Sequence, residues 1–168
     1  MAATFSFVEY NATAGDTGVP TNLNLGSTNA KDLAPSTYPI TAGTYSYSKW
    51  IRGHFSGTFT RIENLKFYCS NSGTGYVSEE VINFSGTTSD YAGTSTYATP
   101  TNAADAQASN ALVFSEPGTA NIGIGGSLSG SLESEGDSDF IVVQASIGSG
   151  ASAGAVQQKT LTFVYDEI

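Results

Sequence analysis

An all-β fold, an antiparallel β-sandwich or jelly-roll-like single domain, is what this 168-residue chain predicts. Three observations carry the expectation. Aromatic and β-branched residues recur at every second position in several short runs, as half-buried strands require. Clusters of Gly, Pro, Asn and Asp separate those runs. No stretch carries a convincing amphipathic helical period. The length suits one domain, and 9 Phe with 9 Tyr supply a core that needs neither metal nor disulfide.

Residues 4–10 alternate, with Phe5 and Phe7 on one side and Val8 and Tyr10 on the other, and read as a strand. Turn chemistry dominates residues 11–43, broken by a short strand over 23–25. Residues 44–52 are extended, so Tyr45, Tyr47 and Ile51 share one face while Ser46, Ser48, Trp50 and Arg52 share the other. Residues 59–70 form the strongest strand, with Leu65, Phe67 and Cys69 pointing one way and Asn64, Lys66 and Tyr68 the other. A Gly-rich turn from Asn71 then predicts residues 76–84 as its hairpin partner. Residues 85–110 are a long Gly/Ser/Thr-rich loop or arm, Ala-rich enough over 102–109 for a helical turn or two. Residues 111–114 are a short apolar strand, and 121–132 alternate Ile and Leu with small residues. Residues 139–147 are apolar at their centre, which fits a strand covered on both faces. A flexible turn over 148–155 leads to a closing strand, 159–165, with Leu161, Phe163 and Tyr165 inward.

Charge and cysteine content narrow the function. A net charge of −9 and a pI near 4.2 argue against nucleic-acid binding, which needs positive charge to meet phosphate. The one cysteine, Cys69, excludes an intrachain disulfide. The N-terminal residues lack the basic and apolar regions of a signal peptide, and no run approaches a membrane span. The expectation is a soluble protein made in the cytoplasm.

Reactive side chains are sparse. His54 is the sole histidine and reads as half-exposed near a strand end, without a nucleophile-elbow pattern around it. Cys69 shares a face with Leu65 and Phe67, so it reads as a small buried hydrophobe. Glu133, Glu135, Asp137 and Asp139, in ESEGDSD, offer hard oxygens that could hold Ca²⁺, though the spacing is not that of an EF-hand loop and a solvated hairpin tip is the other reading. No cofactor is expected. No pair among the acids stands out as a glycosidase pair, and GSGASAG (148–154) lacks a phosphate loop's setting.

Positive charge is concentrated instead. Residues 48–70 hold Lys49, Arg52, Arg61 and Lys66, four of the chain's six cations, with the single acid Glu63. Trp50 and Arg52, two apart on an extended chain, face the same side and combine contact area with directional donors. This segment is the candidate docking surface; the competing reading makes Trp50 core and the cations charge balance. Tyr91 and Tyr97, in the long loop, are a second candidate contact surface.

The stretch WIRGHFSGTFTRIENLKFYCS and the ending DFIVVQASIGSGASAGAVQQKTLTFVYDEI resemble small structural proteins of tailed bacteriophages. Ile62, Asn64, Lys66 and Phe67 match the mid-chain strand, and Gln144, Ile147, Ala151, Gly154, Tyr165 and Glu167 match the closing pair. The match covers about a third of the chain and is one of strand style. The resemblance implies a non-enzymatic virion component, most like a capsid decoration (cement) protein. Its partner would be the major capsid protein or another virion protein, and its form a homo-oligomer, a trimer at symmetry axes. A tail, fibre or baseplate component is the nearest alternative. A carbohydrate-binding module stacking sugars on Trp50, Tyr45, Tyr47 or Tyr91 is another, although the register sets Tyr45 and Tyr47 opposite Trp50.

Overall fold

The computed structural model describes residues 2–11, 16–70, 79–85, 110–152 and 158–168. They contain nine strands and no helix: β1 (Ala3–Asn11), β2 (Asp16–Gly18), β3 (Lys49–Gly57), β4 (Ile62–Cys69), β5 (Glu80–Phe84), β6 (Asn110–Ala111), β7 (Gly136–Asp137), β8 (Ile141–Ile147) and β9 (Leu161–Glu167). All pairings are antiparallel. One seven-stranded sheet runs β2-β1-β3-β8-β5-β6, with β7 also on β3; β4 and β9 form a second, two-stranded sheet. The all-β sandwich is therefore as the sequence predicts.

The core lies between the sheets. Phe5 and Phe7 of β1, Ile51 and Phe55 of β3, and Phe84 of β5 face Phe67 of β4 and Phe163 and Tyr165 of β9. Phe5 stacks on Phe163 at 5.1 Å between ring centroids. Gly53 stands where a side chain would enter these rings: a Cβ there would lie 2.8 Å from Phe5 and 3.2 Å from Phe163. Cys69 is fully buried among these groups, as expected of a small hydrophobe. The outer face of the large sheet carries a smaller cluster of Trp50, Phe140, Val142 and Tyr10. β3 and β8 are thus covered on both faces, which the apolar centre of residues 139–147 anticipates.

One strand departs from simple alternation, and one expected pairing is replaced. In β4, Ile62 is buried along with Leu65, Phe67 and Cys69, although strict alternation from Leu65 would put position 62 outside. A bulge between Glu63 and Lys66 resets the register, with Asn64 in the left-handed region at φ +55°. The expected hairpin between residues 59–70 and 76–84 is replaced: β4 pairs with β9, and β5 pairs with β8 and β6. The reason is facial. Phe84 and Leu112 belong to the large sheet's inner face, opposite Phe67 rather than beside it.

The strand expected at residues 23–25 is irregular chain held by side chains. Asp32 accepts hydrogen bonds from the Thr21 amide and hydroxyl and from the Asn22 amide, while Leu23, Leu25 and Leu33 cover the core. Residues 121–132 likewise form no strand among the described residues. Ile122 and Ile124 pack into the core, and Gly125 and Gly126 turn the chain at φ +62° and +83°. The residue 102–109 helical turn lies outside the described residues, as does the 86–109 body of the long loop.

Candidate functional site

β3 carries the residues that the sequence singles out. Successive side chains of a strand point to opposite faces, so its cations are separated. Lys49 faces inward at one end of the core, where its Nζ donates to Glu9 Oε1 at 2.7 Å and to the Ala30 carbonyl at 2.6 Å. Both side chains of this ion pair are buried, 6% and 0% exposed. Trp50 is 7% exposed and packs edge-on against Phe140 at 5.6 Å. It serves as core on the outer face of the large sheet.

Arg52 lies beside it on that face. Its guanidinium sits 4.6 Å from the Tyr10 ring centre and 5.0 Å from that of Phe140, donates to the Tyr10 hydroxyl, and meets Asp137 Oδ2 at 2.9 Å. The other Asp137 oxygen, Oδ1, is 2.8 Å from His54 Nδ1. Glu135 Oε1 lies 3.8 Å from His54 Nε2. β3–β7 pairing, which sets His54 opposite Asp137, builds this row. His54 is 32% exposed, in line with a half-exposed placement, but it stands within β3, paired with Ser6 and Asp137, and not at a strand end. What residue spacing does not reveal is that both imidazole nitrogens face carboxylates more than 80 residues away. Among the described residues no hydroxyl or thiol is hydrogen-bonded to His54, so the row is a charge network and contains no activated nucleophile of the triad type.

The remaining cations occupy other surfaces. Arg61 pairs with Glu63 at 2.9 Å, two residues along the chain. Lys66, on the outer face of the small sheet, pairs with Glu116 at 2.7 Å. Lys159 and Glu80 form a second buried pair, at 2.9 Å, with side chains 5% and 3% exposed. Five of the six Lys and Arg residues are therefore matched with carboxylates inside the molecule. Lys49, Trp50, Arg52, Arg61 and Lys66 do not converge on one patch. Tyr91 and Tyr97 lie outside the described residues.

The ESEGDSD acids also diverge. Glu133 and Glu135 are exposed, Asp137 serves Arg52 and His54, and Asp139 is buried with Oδ2 accepting from the Gly126 amide at 2.8 Å. Burial pushes the Asp139 carboxyl above its ordinary value, against the opposing pull of the Gly126 and Gly125 amides. Among the described residues no group of three or more His, Cys, Asp or Glu is placed to hold a metal. Among the described residues, Thr58, Phe59, Thr60 and Ile168 line an open groove.

The edges of the small sheet differ sharply. β4 is closed along its free side. Ile62 exchanges backbone bonds with Leu132, and the Leu65 carbonyl accepts from Asn121 and Ile122. The Asn121 side chain spans the Phe67 peptide groups, accepting from its N–H at 2.8 Å and donating to its carbonyl at 2.9 Å. The Cys69 amide donates to Val113. Among the described residues, β9 has β4 on one side and no strand on the other. No protein-family model, curated protein or solved structure matches the chain.

Proposed function

We propose that the chain is a non-enzymatic structural protein of a tailed-bacteriophage virion, a decoration protein that binds the outer capsid surface and stabilises the shell. One observation carries the reading. Six of the ten residues behind the resemblance, Ile62, Asn64, Lys66 and Phe67 in mid-chain and Tyr165 and Glu167 near the end, meet in the β4–β9 sheet, where Ile62 is opposite Glu167, while Gln144 and Ile147 lie on β8 of the large sheet. The larger part of the similarity of strand style thus belongs to one small sheet. The molecule's investment in rigid surface supports the same reading: a two-sided β3, a fully capped β4 edge and two buried ion pairs. Many weak contacts from such a rigid unit, repeated over a shell, sum to firm attachment.

The electrostatics of attachment follow from the ion pairs. With the basic segment neutralised internally, exposed acids such as Glu133, Asp166 and Glu167 dominate the outward field, and a cationic capsid surface is the complement. The test is co-sedimentation of the purified protein with capsid shells that lack it. Saturable binding, weakened by salt and accompanied by greater resistance of the shells to heat, is expected. Failure to bind such shells overturns the proposal. Glycan-array binding in its place would assign the chain to the carbohydrate-binding alternative.

A further inference from the structure

We propose that the open side of the sandwich receives an extended segment of another protein, added antiparallel to β9 as a third strand of the small sheet. The segment would be apolar at alternate positions and carry a Lys or Arg beside Asp166. The inference stands on edge geometry and does not depend on the virion reading.

Backbone parity identifies the unpaired groups. Arg61 and Ile168 exchange backbone bonds, and Ser70 donates to the Thr160 carbonyl, so these pairs face one another across the ladder. Phe67 turns its N–H and carbonyl to Asn121, away from β9. The peptide groups opposite Ile62, Phe67 and Cys69, those of Glu167, Phe163 and Leu161, therefore point outward, as does Tyr165 across the bulge. Among the described residues these outward groups meet no backbone partner. On the neighbouring edge of the large sheet, among the described residues, β2 covers β1 only from Glu9 to Asn11, and the outward Ala3 amide is met by the Glu167 carboxylate at 2.9 Å. Between the two edges lie the partly buried rings of Phe5, Phe163 and Tyr165. A row of donors and acceptors that have no backbone partner among the described residues, above apolar rings, is the template for strand addition.

Charge selects the occupant. Asp166 and Glu167, at the C-terminal end of β9, are exposed. A second copy of the chain has five of its six cations held in internal ion pairs and brings the same net −9, so self-pairing meets repulsion without complement. A foreign strand with a cation near its N-terminus places that cation by Asp166 and its apolar side chains over the rings.

The experiment uses amide exchange by NMR on the full chain, with and without a short capped peptide of alternating valine and threonine bearing one N-terminal lysine. On binding, the outward amides of Leu161, Phe163 and Tyr165 slow by about tenfold or more, while Thr162 and Val164, already bonded to β4, do not change. Moving the lysine to the peptide's C-terminus, or making Asp166→Asn, which keeps the side-chain bond to Asn64, weakens binding by about two- to fivefold, the worth of an exposed ion pair. Outward amides unaffected by the peptide overturn the proposal. So does a concentration-dependent dimer that protects those amides without peptide, which would make a second copy the occupant.

Discussion

Gly53 is a residue defined by its neighbours. Its missing side chain lets the Phe5 and Phe163 rings close over β3, and an added Cβ would approach Phe5 to 2.8 Å. Gly53→Ala is expected to destabilise by about 1–3 kcal/mol, the usual cost of overpacking, read as a lower urea midpoint at unchanged m. Two carboxyls act in opposite directions on pH. Asp32 is held below the ordinary value of 3.8, first by the Thr21 hydroxyl and then by the Asn22 amide. Its stabilisation is present above 3.8 and lost as pH falls through the lowered value. Asp139 is raised above 3.8 by burial, so its folded form holds the proton more tightly and its contribution declines as pH rises from 3.8 through the raised value. Asp32→Asn should therefore cost stability at neutral pH and little in acid. Asp139→Asn, which retains an oxygen for Gly126, should gain on the parent as pH rises. Urea melts from pH 3 to 7 check both signs.

At the scale of the element, side chains finish what the ladders leave open. Asn121 stands in for a strand neighbour on β4, satisfying both Phe67 backbone groups in the interior. Asn121→Ala strands a buried donor and a buried acceptor, for an expected loss of about 2–5 kcal/mol in denaturant melts. The Glu9–Lys49 pair ties β1 and β3 to the irregular segment at Ala30. Lys49→Met alone removes the cation that faces the buried Glu9 carboxylate and should cost about 3–5 kcal/mol, whereas Glu9→Leu with Lys49→Met should recover much of it. A double-mutant cycle that proves additive contradicts this account. These devices mark the boundary of what the residues disclose. Alternation in β1, in β4 from Leu65 onward and in β9 is legible because one face of each meets the core. Leu23–Leu25 mimics a strand because spaced leucines cover a core equally well from irregular chain. Lys49 is read as a surface cation because nothing nearby names Glu9, 40 positions away, as its partner.

Across the whole molecule, fold class was legible and strand partners were not, because class follows from local period and pairing from contacts far apart in the chain. The same distance hid the charge network: Arg52 and His54 are neighbours on a face by simple alternation, but β7 reaches them from 83 residues away. A fold dominated by such pairings should refold slowly, in about milliseconds to seconds, by stopped-flow fluorescence of the single Trp50. Microsecond refolding contradicts that expectation. The β4–β9 ladder has a consequence for synthesis. Asn64 and Asp166 are 102 residues apart, so at about 5–20 residues per second β4 emerges from the ribosome roughly 5–20 s before its mate. Throughout that interval Ile62, Leu65 and Phe67 have no small sheet to join, and the nascent polypeptide carries an adhesive ribbon that a chaperone or a crowded neighbour can seize first.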